Sequence, residues 1–255
     1  MLSKIEKAVT KAGEHLLKGF NSVKEISYKG KIDIVTQFDV EVEKILLNEL
    51  SFMMPEYGFV AEETAQQKTD KKKVVYIDPI DGTTNFVHGF PFCCVSVGVY
   101  EEGEGIYGVI YNPILREMFI AEKGQGAYLN RQKIQVSSKH NIQEALVATG
   151  FPYSIAEGNP QAALELLGTI LKNTRGIRRA GSAALDLCYV AKGVFDAYYE
   201  FDLSPWDIAA GAVIAGEAEA HVCGKDFSKS PDMYEKFIMA VTPDISDRLH
   251  KMLFM

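Results

Sequence analysis

Residues 74–86 read Val-Val-Tyr-Ile-Asp-Pro-Ile-Asp-Gly-Thr-Thr-Asn-Phe, and no other stretch narrows the fold and chemistry of this chain as far. The run from Val74 to Asp78 predicts a buried strand delivered to a turn. Asp78 and Asp81 stand three residues apart at its end, where two carboxylates can share hard, oxygen-seeking cations. Gly82, Thr83 and Thr84 then offer backbone N–H groups and hydroxyls at a helix start, a common way to hold a phosphate. The stretch reads as a metal-assisted phosphate site. The same residue types also serve as plain turn formers and helix caps. A D-x-D-x-T loop with a nucleophilic aspartate has its acids two apart, so the spacing here argues against an aspartyl-phosphate mechanism.

Four further stretches carry acids or small residues with a related look: Ala61-Glu62-Glu63-Thr64, Asp33-Ile34-Val35-Thr36 with Asp39, Gly181-Ser182-Ala183-Ala184 and Ser204-Pro205-Trp206-Asp207. Asp207 completes an S-x-x-D capping box with proline at the first helical position, a cap that can also present a carboxylate. Asp39 reads as the N-cap of a helix, and either Glu62 or Glu63 can be the ligand of its pair. Trp206 reads as packing, and His88 as a surface or core histidine.

Together with Asp196-Ala197-Tyr198-Tyr199-Glu200 and the continuation Ile208-Ala209-Ala210-Gly211, these motifs resemble the inositol monophosphatase family, in the family's order from about residue 33 to 211. Ala61 stands where the family's acidic motif has glycine. The resemblance implies a mixed α/β fold, a layered α/β/α/β/α sandwich of the sugar-phosphatase type. It also implies a magnesium-dependent, lithium-sensitive phosphatase acting on a small phosphate monoester, working as a homodimer. On the matching positions, Glu62, Asp78 and the carbonyl of Ile80 would hold a first Mg2+. Asp78, Asp81 and Asp207 would hold a second, and a third would sit near Glu62. Glu62 and Thr83 would orient the attacking water with no covalent intermediate, and Gly82 and Thr83 would cradle the phosphate. Glu200 would bind substrate hydroxyls beside Gly181, Ser182 and Ala183. One departure stands out: where the family has E-A-G-G, this chain has Glu217-Ala218-Glu219-Ala220, which alters a helix end.

Thr84-Asn85-Phe86 matches the inositol phosphatase pattern rather than the Lys-Glu-Phe of 3′-phosphoadenosine nucleotidases. Fructose 1,6-bisphosphate stays open as a substrate, because Arg175, Arg178 or Arg179 could take its second phosphate, and so does NADP. A regulatory binding protein with dispensable catalysis is the alternative from another class.

At 255 residues, the chain is long enough to bury a core as one domain or two. Its net charge of −7 gives no footprint for nucleic acid. There is no signal-peptide pattern and no apolar run of membrane-spanning length. Cys93, Cys94, Cys188 and Cys223 lack C-x-x-C spacing and read as buried free thiols, so a cytoplasmic protein without membrane contact is expected.

Amphipathic helices are expected over 1–20 and after Asp39, the second stopping before Pro55, then an exposed loop over 64–73. Runs at 92–100, 105–111, 116–121 and 126–136 predict an antiparallel meander. A polar break at 137–142 divides an N-terminal subdomain, 1–140, from a C-terminal one, 141–255. The second half reads as a strand at 145–149, a helix capped by Asn159-Pro160, a helix from Ser182 to Ala191, a strand at 196–201, a helix from Pro205, a strand at 236–241 and a last helix from Thr242-Pro243.

Overall fold

The computed structural model describes residues 1–22, 25–28, 34–63, 69–151 and 160–254. The chain opens with helix α1 (Leu2–Phe20), strands β1 (Ile26–Tyr28) and β2 (Ile34–Thr36), helix α2 (Gln37–Met53) and strand β3 (Gly58–Ala61). Strand β4 (Lys73–Asp81) then leads into helix α3 (Thr83–His88). A meander follows: β5 (Cys94–Glu101), β6 (Glu104–Asn112), β7 (Glu117–Glu122), β8 (Gly126–Leu129) and β9 (Gln132–Ile134). The second half runs β10 (Leu146–Thr149), α4 (Gln161–Asn173), β11 (Gly176–Arg178), α5 (Ala183–Ala191) and β12 (Ala197–Phe201). It closes with α6 (Pro205–Glu217), β13 (His221–Cys223), β14 (Phe237–Val241) and α7 (Ser246–Phe254).

Most elements stand where the sequence puts them, with instructive differences. Helix α2 begins at Gln37 with Thr36 as its cap, so Asp39 is the third helical residue rather than the cap. The run 126–136 is two strands, because Asn130 and Arg131 both take positive φ and reverse the chain. A short 3-10 turn, Pro243–Ile245, precedes α7. Asp33, Thr64 and Asn159 lie outside the described residues, as does the 64–68 part of the expected loop.

Strands β3 to β9 form one seven-stranded sheet in chain order, antiparallel except for the β3–β4 pair. A five-stranded sheet has the order β11-β10-β12-β14-β13. Three apolar clusters show how they stack. One joins α1 and α2 to an outer face of the large sheet through Val9, Leu16, Leu46, Ile77, Val97 and Val109. Another fills the interior between the two sheets, where α5 and α6 lie. The last covers the far face of the small sheet with α4 and α7, through Ile170, Tyr199, Met239 and Leu249. The result is the α/β/α/β/α order of layers. The strands alternate accordingly: Tyr76 faces the interior, whereas Val75 and Ile77 face α1 and α2.

Helix α6 sits unusually close to the large sheet. Gly98 and Gly108 are directly opposite each other on β5 and β6. A Cβ at Gly98 would lie 2.8 Å from the Ala209 backbone, and one at Gly108 would lie 2.5 Å from the Ala210 carbonyl. The helix answers with alanines at 209 and 210, so backbone packs on backbone. Its C-terminal end is fastened by Glu217, which accepts the N–H groups of Gly124 and Gly126 at 2.8 Å each. Glu219 then takes φ +72 in a Schellman-type turn, with Ala220 N–H returning to the Ala215 carbonyl. This is the position where the family's glycine would sit, so the departure noted in the sequence is a backbone strain at that turn.

Two outcomes follow for stability. Gly108→Ala forces a methyl into the α6 backbone and should lower stability by about 1–3 kcal/mol, read as a lowered denaturant midpoint. Glu219→Gly relieves the left-handed strain and should raise it by up to about 1 kcal/mol, or about 2–4 °C in Tm for a chain of this size.

Candidate active site

The D-P-I-D spacing acquires its meaning from a β-bulge. Asp78 pairs with Ser96 and Asp81 pairs with Cys94, so three steps on β4 match two on β5. In a regular strand, residues three apart point to opposite faces. The extra residue turns Asp81 back to the face of Asp78, toward the interior layer. Pro79 is tolerated there because a bulge needs no ladder donor from it. Gly82 follows with φ +88, where a Cβ would meet the Phe92 and Gly181 carbonyls at 3.0 and 3.1 Å. Thr83 then opens α3.

Each acid is approached by a different element. Asp81 Oδ2 accepts the Ser182 hydroxyl at 2.5 Å and the Ala184 N–H at 2.7 Å, which binds the β4 end to the start of α5. Asp207 Oδ2 accepts the Ser204 N–H at 2.7 Å, so the carboxylate does serve as a cap on α6. Glu63 N–H donates to the buried Glu43 of α2 at 2.7 Å, anchoring the loop that carries Glu62. The Thr83 hydroxyl lies 2.9 Å from both Asp39 Oδ1 and the Ile80 carbonyl. Asp39 Oδ2 meanwhile holds the N–H and hydroxyl of Thr36. Locally Asp39 is a helix-start residue; its bond to Thr83 across 44 residues is a contact no local pattern discloses.

Burial and mutual repulsion govern the electrostatics. Desolvation, then the charges of Glu62, Asp81, Asp207 and Asp39, push the Asp78 carboxyl well above the ordinary range. Asp207 is raised well above it by burial and by Asp81 and Glu62, against the Ser204 N–H. Asp81 is pushed up to about 6 by burial, moderated by its bonds to Ser182 and to the start of α5. Glu200 is pushed up to about 7 by burial, moderated by the Tyr198 hydroxyl and by the Arg179 charge. The charges of Asp81 and Asp207 therefore reach both Asp78 and each other, and Glu200 feels Asp81.

Among the described residues, no three acidic, histidine or cysteine side chains converge as a ready-made cation cage. The carboxylates of Asp81 and Asp207 are turned to helix N-termini instead. Yet Asp78 Oδ1 is buried with no hydrogen-bond partner, and the Ser96 hydroxyl on the paired residue is likewise buried and unpartnered. A buried carboxylate oxygen without a donor, amid other carboxylates, is costly unless a cation or proton answers it. The donor set is all oxygen, which suits Mg2+.

Two residues beyond the expected set take part. Asn85 Nδ2 lies 2.7 Å from the Phe92 carbonyl, 2.8 Å from that of Ala180 and 3.2 Å from that of Gly181, stitching α3 to the loop before α5. Asp186, in the first turn of α5, is buried with Oδ1 unpartnered and its carboxyl pushed well above the usual range by burial and by Glu200. From the arginine cluster, Arg179 reaches these acids: its guanidinium sits 2.5 Å from where a Gly181 Cβ would stand, and its charge is felt by Asp81, Asp186 and Glu200.

The model of the inositol monophosphatase family matches residues 1–253. The chain belongs to the inositol monophosphatase family. It is 42% identical to inositol monophosphatase 2 of Solanum lycopersicum over 83% of this chain and 82% of that protein. It is 39% identical to the protein named Nus factor SuhB of Vibrio cholerae, over 95% and 91% of the two chains. The crystal structure of extragenic suppressor protein suhB from Bartonella henselae superposes with a TM-score of 0.91 at 38% identity, covering 99% of this chain and 97% of that one. The family is metal-dependent and its substrates are phosphate monoesters. No helix among the described residues is long and apolar enough to cross a membrane, and all four cysteines are buried free thiols.

The uncompensated acids predict a trade of stability against metal response. Asp78→Asn should raise the Tm of the metal-free protein, because it removes a desolvated, repelled carboxyl. It should also abolish the Mg2+-induced rise in Tm expected of the wild type, as differential scanning fluorimetry with EDTA or excess Mg2+ would report.

Proposed function

We propose that this chain is a Mg2+-dependent phosphomonoesterase that hydrolyses inositol 1-phosphate or a related sugar or polyol phosphate. Water and the monoester give the free alcohol and inorganic phosphate, with no covalent enzyme intermediate. The observation that carries the reading is the unpartnered Asp78 Oδ1, buried among Glu62, Asp81 and Asp207 at the bulged end of β4. Glu62, Asp78, Asp81, Asp207 and the Ile80 carbonyl are the residues that would hold two or three ions. Bound Mg2+ supplies charge neutralisation of the phosphoryl group, an acidified water and stabilisation of the leaving oxygen.

The protein's own groups do the rest. The Thr83 hydroxyl is held between Asp39 and the Ile80 carbonyl. It has one proton to give and lone pairs left to accept, so it can orient a water together with Glu62. The N–H groups of Gly82 and Thr83 receive phosphate oxygens. Glu200 accepts substrate hydroxyls, and Gly181, Ser182 and Ala183 form the wall opposite. In this arrangement residues 1–140 and 141–255 act as two subdomains, the first supplying Glu62, Asp78 and Asp81 and the second supplying Asp207 and Glu200. The protein would work as a cytoplasmic homodimer, inhibited by lithium.

A second substrate class is favoured by one observation. Arg179 stands beside Gly181 at the pocket and is exposed, so a second anionic group, as in fructose 1,6-bisphosphate or NADP, would meet a cation there. A regulatory role alongside or instead of catalysis has support from the relatives named Nus factor SuhB.

Phosphate release with Mg2+ from inositol 1-phosphate, fructose 1,6-bisphosphate, 3′-phosphoadenosine 5′-phosphate and NADP tests these readings. Asp81→Asn should lower kcat by about a thousandfold or more, since the residue would act on the transition state. Thr83→Ala should lower kcat by about a hundredfold with little change in KM. Absence of release from every compound by the folded, Mg2+-loaded wild type would leave the regulatory reading in its place.

A further inference from the structure

Strands β10 and β12 run parallel, with Thr149 opposite Tyr199. One step further on, Gly150 lies beside Glu200. A Cβ added to Gly150 would stand 2.0 Å from Cδ, Oε1 and Oε2 of Glu200. The carboxylate therefore fills the space that any side chain at position 150 would need. Gly150 is absent from the glycines with positive φ, so its backbone conformation does not demand glycine. What the position needs is room.

The carboxylate is also held by a hydrogen bond. Tyr198, on the same strand face as Glu200, is fully buried and donates its hydroxyl to Oε2 at 2.6 Å. A glutamate has several freely turning bonds and loses that freedom only against firm neighbours. Here the neighbours are a bare backbone and a phenol. The groups that reach Glu200 electrostatically include Arg179 from the loop before α5, Asp186 from α5, Asp207 from α6 and Asp81 from β4. Its second oxygen is left to accept from a ligand, and the residue is only partly buried.

We propose that Gly150 and Tyr198 are the positioning residues that decide substrate choice: they seat the Glu200 carboxylate in a bay beside β10, where it reads hydroxyl groups on the leaving alcohol. The inference rests on the phosphatase reading and deepens it. The class of substrate it selects is a phosphate ester whose alcohol carries at least one further hydroxyl within reach. An ester with no such hydroxyl gains nothing from the bay.

The test is steady-state kinetics of the Mg2+-loaded full chain on inositol 1-phosphate and on 4-nitrophenyl phosphate, whose leaving group has no other hydroxyl. The readout is the ratio of the two kcat/KM values. Gly150→Ala should lower that ratio about tenfold or more, carried by KM for inositol 1-phosphate, the scale of one lost hydrogen bond to a charged group. Tyr198→Phe, which keeps the packing, should lower it severalfold. In a Glu200→Ala background, Gly150→Ala should have no further effect, because the group it displaces is gone.

An unmoved ratio in both variants overturns the inference while leaving the phosphatase reading in place. So does a Gly150→Ala loss that persists without Glu200, since position 150 would then act by another route. A wild type that hydrolyses neither ester overturns the phosphatase reading and this inference together.

Discussion

The contact on which this structure turns is the one between α6 and the Gly98–Gly108 pair. Stacked sheets held apart by ordinary side chains lie about 10 Å from each other. Here the glycines and the facing alanines at 209 and 210 bring backbone within a few ångströms of backbone. That closeness carries Asp207, near the helix start, into the charge field of Asp78 at the end of β4.

Within that interior, polar groups are gathered where apolar packing would have been the stabler choice. Asp78, Asp81, Asp186 and Asp207 are raised carboxyls in a layer otherwise built largely of aliphatic and aromatic side chains. The protein restrains the cost by giving Asp81 and Asp207 helix N-terminal N–H groups to hold. Asp78 Oδ1 and Asp186 Oδ1 receive no such compensation. Groups left in that condition mark places where a fold has kept something other than stability.

A second theme is stitching across the sequence. Ser182 and Ala184 reach Asp81, Asn85 reaches Ala180 and Gly181, and Thr83 reaches Asp39. Each bond joins elements far apart in the chain around the end of β4. Positions of acids and hydroxyls there depend on hydrogen bonds between elements far apart in the chain. A small shift in α5 or α6 would therefore move these acids relative to one another.

Much of this was written locally. The alternation of β5 to β8, the amphipathic α1, the cap at Ser204 and the buried strand running into Asp78 all follow from periodicity and turn chemistry, although β4 continues past that point to Asp81. The motifs in their order mark the family and its acids. Other features have no local signature. The bulge that turns Asp81 onto the face of Asp78 is a property of the β4–β5 pairing, since one strand cannot be out of register with itself. Asp39 looks like a helix-start residue because it is one, and only the return of β4 places Thr83 against it. Gly150 reads as an ordinary strand-end glycine until β12 lays Glu200 beside it. Sequence determined which groups are present and which element each belongs to, because those depend on neighbours a few residues away. Tertiary structure alone decided which of them share a buried volume, because solvation and charge act through space and take no account of order along the chain.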